Sequence, residues 1–384
     1  MSGDPIYLDH NATTPILPEV VEAMLPYLRE HFGNPSSGHA YGVRASDAVA
    51  RAREQVATLL GCEGDEVVFT SGGTEANNMA IRGVAEACSD RPHVVTTVIE
   101  HPATERPCEW LERHGWRVTR IGVDREGRTR IEDARNAIDD ATALVSVMHS
   151  NNETGVLQPI AEIAQLARPR GATMHVDAAQ SVGKVPVNVR ELDVDLLSVA
   201  GHKLYAPKGV GALYVRRGTP IVPFALGAGH ERGLRPGTEN VASIVGLGLA
   251  CEIAGRDLAL AAESMRSLRD DLWERLAAAV PGLELNGHRT LRLPNTLNVR
   301  FPRASGNAVL AGAPAIAAAT GSACHAGHDS ASTVILAMGV AADEATGSVR
   351  LTLGRGTTRI EIERAADALA RSWRRIAATA PGAA

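Results

Sequence analysis

The stretch LLSVAGHK, residues 196–203, ends an apolar strand pattern with a lysine surrounded by small residues. A lysine just past a strand is usually a solvated loop residue, so Lys203 alone does not reveal a site. The alternative is an amine held in a pocket for covalent chemistry, either as a nucleophile or as a Schiff-base partner. The strands and helices around this stretch decide between the two interpretations.

Strand patterns alternate with helical patterns from residue 66 to residue 217. EVVFT precedes the helical EANNMAIRGVAEAC, HVVTTVIE precedes PATERPCEWLERHG, and ALVSVMHS precedes PIAEIAQLARPRG; the strands TMHVDAA, LLSVAG and GALYVRR follow. Such alternation is typical of βαβ units with right-handed crossovers. We therefore expect an α/β fold with a mostly parallel sheet covered by helices on both faces.

The pattern changes after about residue 240. Two helices are predicted through VASIVGLGLACEIAG and MRSLRDDLWERLAAAV, followed by strands NTLNVRF and SVRLTLG and a terminal helix. This composition predicts a smaller α+β domain completed by the N-terminal segment. We place the large domain at residues 15–250 and the small domain at residues 1–14 and 251–384.

Length and composition are those of a globular protein with more than one core. The chain has 384 residues, of which 45% are hydrophobic and 22% charged. A net charge of −5 gives no reason to expect nucleic acid or an anionic membrane as a partner. The sequence shows neither an apolar stretch long enough to span a bilayer nor a secretory leader, so a cytoplasmic location is expected.

The cysteines do not form a disulfide or zinc pattern. There are five, an odd number without C-x-x-C spacing, and Cys62, Cys88, Cys108 and Cys251 lie in helical patterns that suit small buried side chains. Cys324 differs because TGSACHAGHDSAS consists of small and polar residues typical of a flexible loop. His325 and His328 lie close to it, but no second thiol accompanies them, and no metal site is expected.

Polar residues follow five of the predicted strands. Ligands of open parallel sheets bind beyond the carboxyl ends of the strands, where these residues would meet. The five groups are Ser71 to Glu75, Glu100 with His101, Asn151 to Glu153, Asp177 with Gln180, and His202 with Lys203.

Each group suits one part of an aromatic aldehyde cofactor with a phosphate tail. The SGGT turn offers backbone N–H groups at a helix N-terminus for a phosphate. Asp177 would be a costly buried charge unless it met a cation such as a protonated pyridine nitrogen. Gln180 suits the ring hydroxyl, and His101 suits stacking on the ring. Lys203 would then form a Schiff base with pyridoxal 5'-phosphate (PLP).

The ordered motifs add a family resemblance from Tyr7 to Gly354. The motifs are YLDHNATTP, FGNPSS, FTSGGTEANN, EHPA, NNETG, HVDAAQ, GHK, RPGTEN, TGSACHAG and SVRLTLG. Together they resemble the cysteine desulfurases of the class V aminotransferase-like, fold-type I group of PLP enzymes. The resemblance implies a large domain with a mostly parallel seven-stranded sheet and a smaller α+β domain that carries the cysteine loop.

The resemblance also implies roles for individual residues in a homodimer. Lys203 and His101 would act on the substrate, with Cys324 as the persulfide-forming thiol. Asn152 and Arg350 would place L-cysteine, with Arg350 gripping its carboxylate. The remaining expected cofactor contacts are Asp177 and Gln180 at the ring, and Gly73, Thr74, His202 and the neighbouring subunit's Thr238 at the phosphate.

Two departures from the family pattern concern local contacts. Ala200 stands where many relatives have a serine that touches the phosphate, and SGNAVL replaces an acidic helix start common in the family. TGSAC resembles the mobile-loop branch of the family.

The expected activity is conversion of L-cysteine to L-alanine, with sulfur passed to an acceptor protein. The alternatives are a selenocysteine lyase, another PLP β-lyase or aminotransferase, and an inactive scaffold that acts as a binding subunit. The recipient stays open among iron–sulfur assembly, tRNA thiolation, DNA phosphorothioation and natural-product synthesis.

Overall fold

A seven-stranded sheet forms the centre of the computed structural model, which describes residues 4–321 and 331–378. Strand β1 (Ile6–Tyr7) lies outside this sheet. The sheet has the order β2-β8-β7-β6-β5-β3-β4, in which β8 runs antiparallel to both β2 and β7 and the other neighbouring strands are parallel. The strands are β2 (Val67–Thr70), β3 (His93–Thr97), β4 (Arg117–Ile121), β5 (Thr142–Met148), β6 (Thr173–Asp177), β7 (Leu196–Ala200) and β8 (Gly211–Val215).

Helices cover both faces of this sheet, as the alternation predicts. Successive residues of β2 point to opposite sides, with Val67 and Phe69 in one core and Val68 in the other. The first core is closed by α2 (Ala40–Leu60), α5 (Ile131–Ala137), α6 (Ile160–Ala167) and the start of α7 (Val241–Ala279), with α1 (Pro18–Arg29) against α7. The second core is closed by α3 (Gly73–Ala87) and α4 (Pro102–Arg113).

The long helix α7 replaces the two helices predicted after residue 240, so that prediction is wrong in detail. The helix runs without a break through Gly255, where a Cβ would make an ordinary contact with the Leu59 side chain at 3.5 Å. The following residues are good helix formers, so one glycine does not end the helix. Its first half packs on the central sheet, while Leu272 and Leu276 belong to a separate core.

That separate core belongs to an α+β unit. It contains an antiparallel sheet of order β12-β10-β9 and a parallel pair β1-β11, with Leu8 from the N-terminal segment buried among them. Its elements are β9 (Glu284–Leu285), β10 (Thr296–Arg300), β11 (Ile316–Ala317), β12 (Ser348–Thr352), α8 (Gly306–Ala311), α9 (Thr333–Ala337), α10 (Ala342–Ala345) and α11 (Arg359–Ala377). The predicted domain limits at residues 14 and 250 stay a prediction.

In the part of the chain that the structure describes, none of the helices combines the length and apolar character that a membrane span requires.

Candidate active site

A cavity of about 290 Å³ opens at the carboxyl ends of the central parallel strands. The strand ends meet the N-terminal segment after β1 and the strand β12, so both structural units contribute to the wall. Nine of the predicted site residues line it, namely Gly73, Thr74, His101, Asn152, Asp177, Gln180, His202, Lys203 and Arg350. Thr238 is exposed and does not line the cavity. Cys324, His325 and His328 lie outside the described residues.

The turn between β2 and α3 forms a cradle at one end of the cavity. Gly72 has φ of 146°, a conformation that L-residues with side chains rarely adopt. A Cβ on Gly73 would lie 3.3 Å from the Ala200 side chain, so only glycine leaves this space open. Glu75 steadies the turn by accepting from the Ser71 N–H at 2.6 Å. The helix N-terminus therefore presents backbone N–H groups to the cavity.

Asp177 ends β6 at the floor of the cavity and is 8% exposed. Its Oδ2 accepts from Asn77 Nδ2 at 2.7 Å and its Oδ1 from the Ala179 N–H at 3.0 Å. Both donors are neutral, so among the described residues the hydrogen bonds fix the carboxylate without neutralising it. A carboxylate held in this way suits a cationic ring nitrogen.

Lys203 follows β7 in a short 3₁₀ turn and reaches back to the N-terminal segment. Its Nζ donates to the carbonyl oxygen of Ala12 at 2.8 Å and to that of Asn11. Burial lowers the pKa of Lys203 to about 8, with the Arg350 charge as a further cause and with Asp9 and Asp177 opposing. A free amine is therefore far more accessible near neutral pH than for an exposed lysine.

His101 caps α4 and is oriented by that role. Its Nδ1 accepts from the Ala103 N–H at 3.1 Å, so the ring proton of the neutral form resides on Nε2. Burial lowers the pKa of His101, and the Lys203 charge adds to this while Asp177 opposes it. The ring is therefore neutral at neutral pH, with one N–H left for a partner other than its own helix.

His202 is also held as a neutral ring. Burial lowers its pKa to about 4, and the charges of Lys203, Lys208 and Lys184 contribute in that order. Its Nδ1 lies 3.2 Å from Thr13 Oγ1, and its backbone oxygen accepts from Thr14. The N-terminal segment thus fixes both the ring and the turn before Lys203.

Arg350 projects from β12 and is 3% exposed. Its Nη2 donates to Asp9 Oδ1 at 2.7 Å and its Nη1 to the Asn152 carbonyl at 3.1 Å, while Nε has no partner within the described residues. Asp9 therefore occupies one of the two N–H groups that a bidentate grip would use. The predicted contact with a substrate carboxylate requires Nε or a shift of Asp9.

Sequence reasoning assigned no role to Asn77, Asn11 and Lys184. Asn77 is fully buried and holds Asp177, and its Oδ1 has no partner within the described residues. The Asn11 carbonyl accepts from both Gln180 Nε2 and Lys203 Nζ. A signal for Asn77 was present, because a polar residue on the buried face of α3 breaks its apolar pattern.

Four cysteines are described, and none of these four is in a disulfide. Burial raises the pKa of Cys62 and of Cys251 to about 12, and it raises the pKa of Cys88 and Cys108 as well. Thiols of this kind stay protonated at neutral pH and are poor nucleophiles. Their placement supports the interpretation of these four as structural residues.

The residues present fit PLP. The cradle at Gly73 would be filled by any Cβ, the buried Asp177 carboxylate has only neutral donors among its described partners, and Lys203 faces the same cavity with a lowered pKa. These are the donor types that a phosphate, a protonated pyridine and an aldehyde require. Ala200 lines the cradle and brings no hydroxyl to it.

Comparison with known proteins gives the family. A model described as aminotransferase class-V matches residues 6–365. The chain belongs to this family. A cysteine desulfurase of Trichormus azollae is 45% identical over 378 residues, which cover 98% of this chain and 94% of the relative. The cysteine desulfurase NifS of Azotobacter vinelandii is 46% identical over 362 residues, with 94% and 90% covered.

A solved structure described as a NifS-like protein has the same architecture. Its TM-score is 0.90 at 37% identity, with 96% of this chain and 98% of that chain covered. Within the family the chain therefore falls among the cysteine desulfurases, which depend on PLP. The predicted family, fold class and cofactor are confirmed.

Proposed function

We propose that this protein converts L-cysteine to L-alanine and passes the sulfur onward through a persulfide on Cys324. One observation carries the proposal: the Lys203 amine, the Asp177 carboxylate and the Arg350 guanidinium line one cavity. They are the groups needed to hold an aldehyde cofactor and an amino acid together.

Bound PLP would provide an electron sink for the bond cleavages at the substrate carbon atoms. Asp177 would hold the ring nitrogen, Gln180 the ring hydroxyl, and the cradle at Gly73 and Thr74 the phosphate. His202 adds a neutral ring to the lining of the same cavity. The hydrogen bonds of Asp177 to Asn77 and Ala179 keep its carboxylate in place without a protein cation.

Substrate binding and proton transfer would use Arg350, Asn152, His101 and Lys203. Arg350 and Asn152 meet at the cavity wall, where the Arg350 guanidinium would bind the substrate carboxylate through Nε or after a shift of Asp9. Lys203 in its free-amine form would accept the proton from the substrate Cα, since its lowered pKa makes that form accessible. His101 brings an Nε2–H to the same cavity and would donate it to the substrate.

The sulfur step would form one S–S bond and break one C–S bond. The Cys324 thiolate attacks the substrate sulfur, the pair of the Cβ–S bond stays with carbon, and protonation of that carbon gives the methyl group of alanine. The thiol sulfur of Cys324 is oxidised to the persulfide, and the carbon fragment is reduced. L-cysteine and one thiol thus give L-alanine and one persulfide.

Single-turnover assays of alanine and persulfide test the proposal. Cys324→Ser should retain the cofactor absorbance and produce almost no alanine, because a hydroxyl is scarcely ionised and cannot carry sulfur. Cys88→Ser is the matched control and should keep the parent rate. Borohydride reduction should place the cofactor label on Lys203. Alanine production by Cys324→Ser at the parent rate would instead indicate a direct lyase.

The alternatives make different predictions in the same assays. A β-lyase or selenocysteine lyase needs no carrier thiol and would keep its activity without Cys324. A binding subunit on an inactive scaffold would stay colourless with PLP. The convergence of Lys203, Asp177 and Arg350 in one cavity favours an enzyme.

We also propose that the active form is a homodimer. Phe32 is 75% exposed and Tyr41 is 53% exposed, although their ring centroids lie only 5.5 Å apart. Leu226 is 91% exposed. Apolar side chains exposed in this way favour burial by a second copy. Thr238 lies outside the cavity of its own chain, which supports a role at a partner's phosphate. Sedimentation should show a dimer that Phe32→Asp weakens.

A cytoplasmic location and a protein acceptor complete the proposal. Free thiols, such as the four that the structure describes, suit a reducing compartment. Cell fractionation tests the location. Capture of proteins that receive ³⁵S from the Cys324 persulfide tests the acceptor.

A further inference from the structure

Lysine is rare in this chain and is concentrated at the cavity. The sequence contains 36 arginines and only three lysines, Lys184, Lys203 and Lys208. Lys184 is 4% exposed, and Lys208 is exposed. Arginine is always charged and forked, whereas a lysine amine is compact and can lose its proton. Lys184 is therefore buried beside Gln180, which lines the cavity together with the half-buried Lys203, and only Lys203 has a role so far.

Lys184 has a defined place next to Gln180, which lines the cavity. It follows β6 in a turn in which Ser181 N–H donates to the Ala178 carbonyl and Gly183 has φ of 77°. Its Nζ donates to the Gln180 carbonyl oxygen at 2.9 Å and to Gln180 Oε1 at 3.3 Å. The ammonium thus contacts the backbone and the side chain of one residue.

This contact decides which way the Gln180 amide faces. The ammonium form of Lys184 only donates, and the neutral amine still has two N–H donors for its two oxygen partners, so the Gln180 amide atom that faces Nζ is the oxygen. The amide nitrogen then points the other way, where Gln180 Nε2 donates to the Asn11 carbonyl at 3.0 Å. That carbonyl also accepts from Lys203 Nζ. The donor at the amide oxygen, Lys184, and the acceptor at the amide nitrogen, the Asn11 carbonyl, therefore favour the same orientation of the Gln180 amide. In this orientation its N–H groups lie beside Lys203.

We propose that Lys184 is a positioning residue that holds the Gln180 amide with its N–H groups toward the cofactor cavity. The proposal rests on the proposed function, because it assigns a purpose to the Gln180 orientation only when PLP is bound. A donor at the ring hydroxyl stabilises the anionic oxygen. Without Lys184, the amide loses one of the two partners that distinguish its orientations and keeps only the Asn11 carbonyl.

Other titratable groups around Lys184 define what the experiment must control. Lys203 acts on Lys184 by charge, and burial with this repulsion lowers the Lys184 pKa to about 7. The Lys184 charge acts in turn on His10 and His202, whose pKa values burial lowers to about 4. Glu361 opposes that change at His10. Both histidines are therefore neutral above pH 6.

The experiment measures the near-visible absorbance of the PLP-loaded enzyme against pH, between pH 6 and 10. Lys184→Met keeps a long unbranched side chain but removes the hydrogen-bond donor. It should move the midpoint of the absorbance change upward by about one pH unit, which is a tenfold increase in the proton affinity of the bound cofactor. Gln180→Ala should give an equal shift. The double variant should shift no further, because both changes remove the same hydrogen bond.

Lys208→Met is the matched control, since it removes an exposed lysine and should keep the parent midpoint. An unchanged midpoint in Lys184→Met would overturn the proposal, and so would additive shifts in the double variant. If Lys184→Met loses PLP while Gln180→Ala retains PLP, the proposal is also contradicted, because Lys184 would then do more than orient Gln180. Alanine assays in parallel separate this result from the proposed function, which fails only if the parent enzyme makes no alanine.

Discussion

Replacing Lys184 by methionine should make the cofactor-free protein more stable at low pH than at high pH, relative to the parent. Lys184 is buried, and burial with the nearby Lys203 charge lowers its pKa from the usual 10.5 to about 7. Between these two pH values the unfolded chain binds one proton more than the folded chain. Stability of the parent therefore rises with pH across this window, and the cost of the buried charge is fully present below pH 7.

The magnitude follows from the difference between the two pKa values. A difference of about 3.5, at 1.36 kcal/mol for each pH unit, corresponds to about 5 kcal/mol for keeping the charged amine buried. Methionine removes this cost but leaves two Gln180 oxygens without their donor, which opposes it by about 1–3 kcal/mol. At pH 6 the variant should thus be more stable by about 2–4 kcal/mol.

Urea unfolding of cofactor-free parent and variant at pH 6 and pH 9 tests the reasoning. The free energy of unfolding of Lys184→Met should exceed that of the parent at pH 6, and this difference should shrink by about 3 kcal/mol at pH 9. The reason is that most of the cost of burying the Lys184 charge disappears over two pH units above 7. Lys208→Met corrects for the loss of one positive charge. With only three lysines in the chain, NMR of labelled lysine side chains can also follow the titration of Lys184 directly. A stability difference that does not change with pH would refute the argument.

Three further substitutions test other contacts. Asp9→Asn should raise KM for L-cysteine about tenfold with a smaller effect on kcat, because the ion pair that orients Arg350 is lost, and steady-state alanine assays measure both constants. Asp177→Asn should lower kcat by at least about 100-fold while the fold is unchanged by circular dichroism, since a neutral amide cannot balance a charged ring nitrogen. Glu231→Gln should destabilise the protein by about 3–5 kcal/mol in urea unfolding, because Arg53 would be left without its buried carboxylate.

The central sheet could be predicted because its strands are buried on both faces. Patterns such as ALVSVMHS are continuously apolar, and β5 is buried along its whole length. The strand ends then follow, since parallel strands bring their carboxyl ends to one rim. This is why Lys203, Asp177 and His101 were found from the sequence and do line one cavity.

Other features depend on contacts between segments far apart in the sequence. Lys203 meets the Asn11 carbonyl across 192 positions and Arg350 meets Asp9 across 341, and no local pattern reports such pairs. Lys184 was missed because its partner Gln180 lies in the same short turn, where a lysine is usually solvated. The single helix α7 was missed because a glycine inside a helix also resembles a helix end.

The N-terminal segment links substrate binding to cofactor binding. Asn11 and Ala12 accept from Lys203, Asn11 also accepts from Gln180, and two residues earlier Asp9 accepts from Arg350. The contacts with Lys203 and Gln180 join the segment to the central sheet, and the contact with Arg350 joins it to β12 of the α+β unit. A substrate carboxylate that draws Arg350 away from Asp9 would therefore act on the same short segment that holds the Lys203 amine. The cavity thus requires both units to be assembled, because neither the sheet nor the α+β unit alone contains the groups for cofactor and substrate.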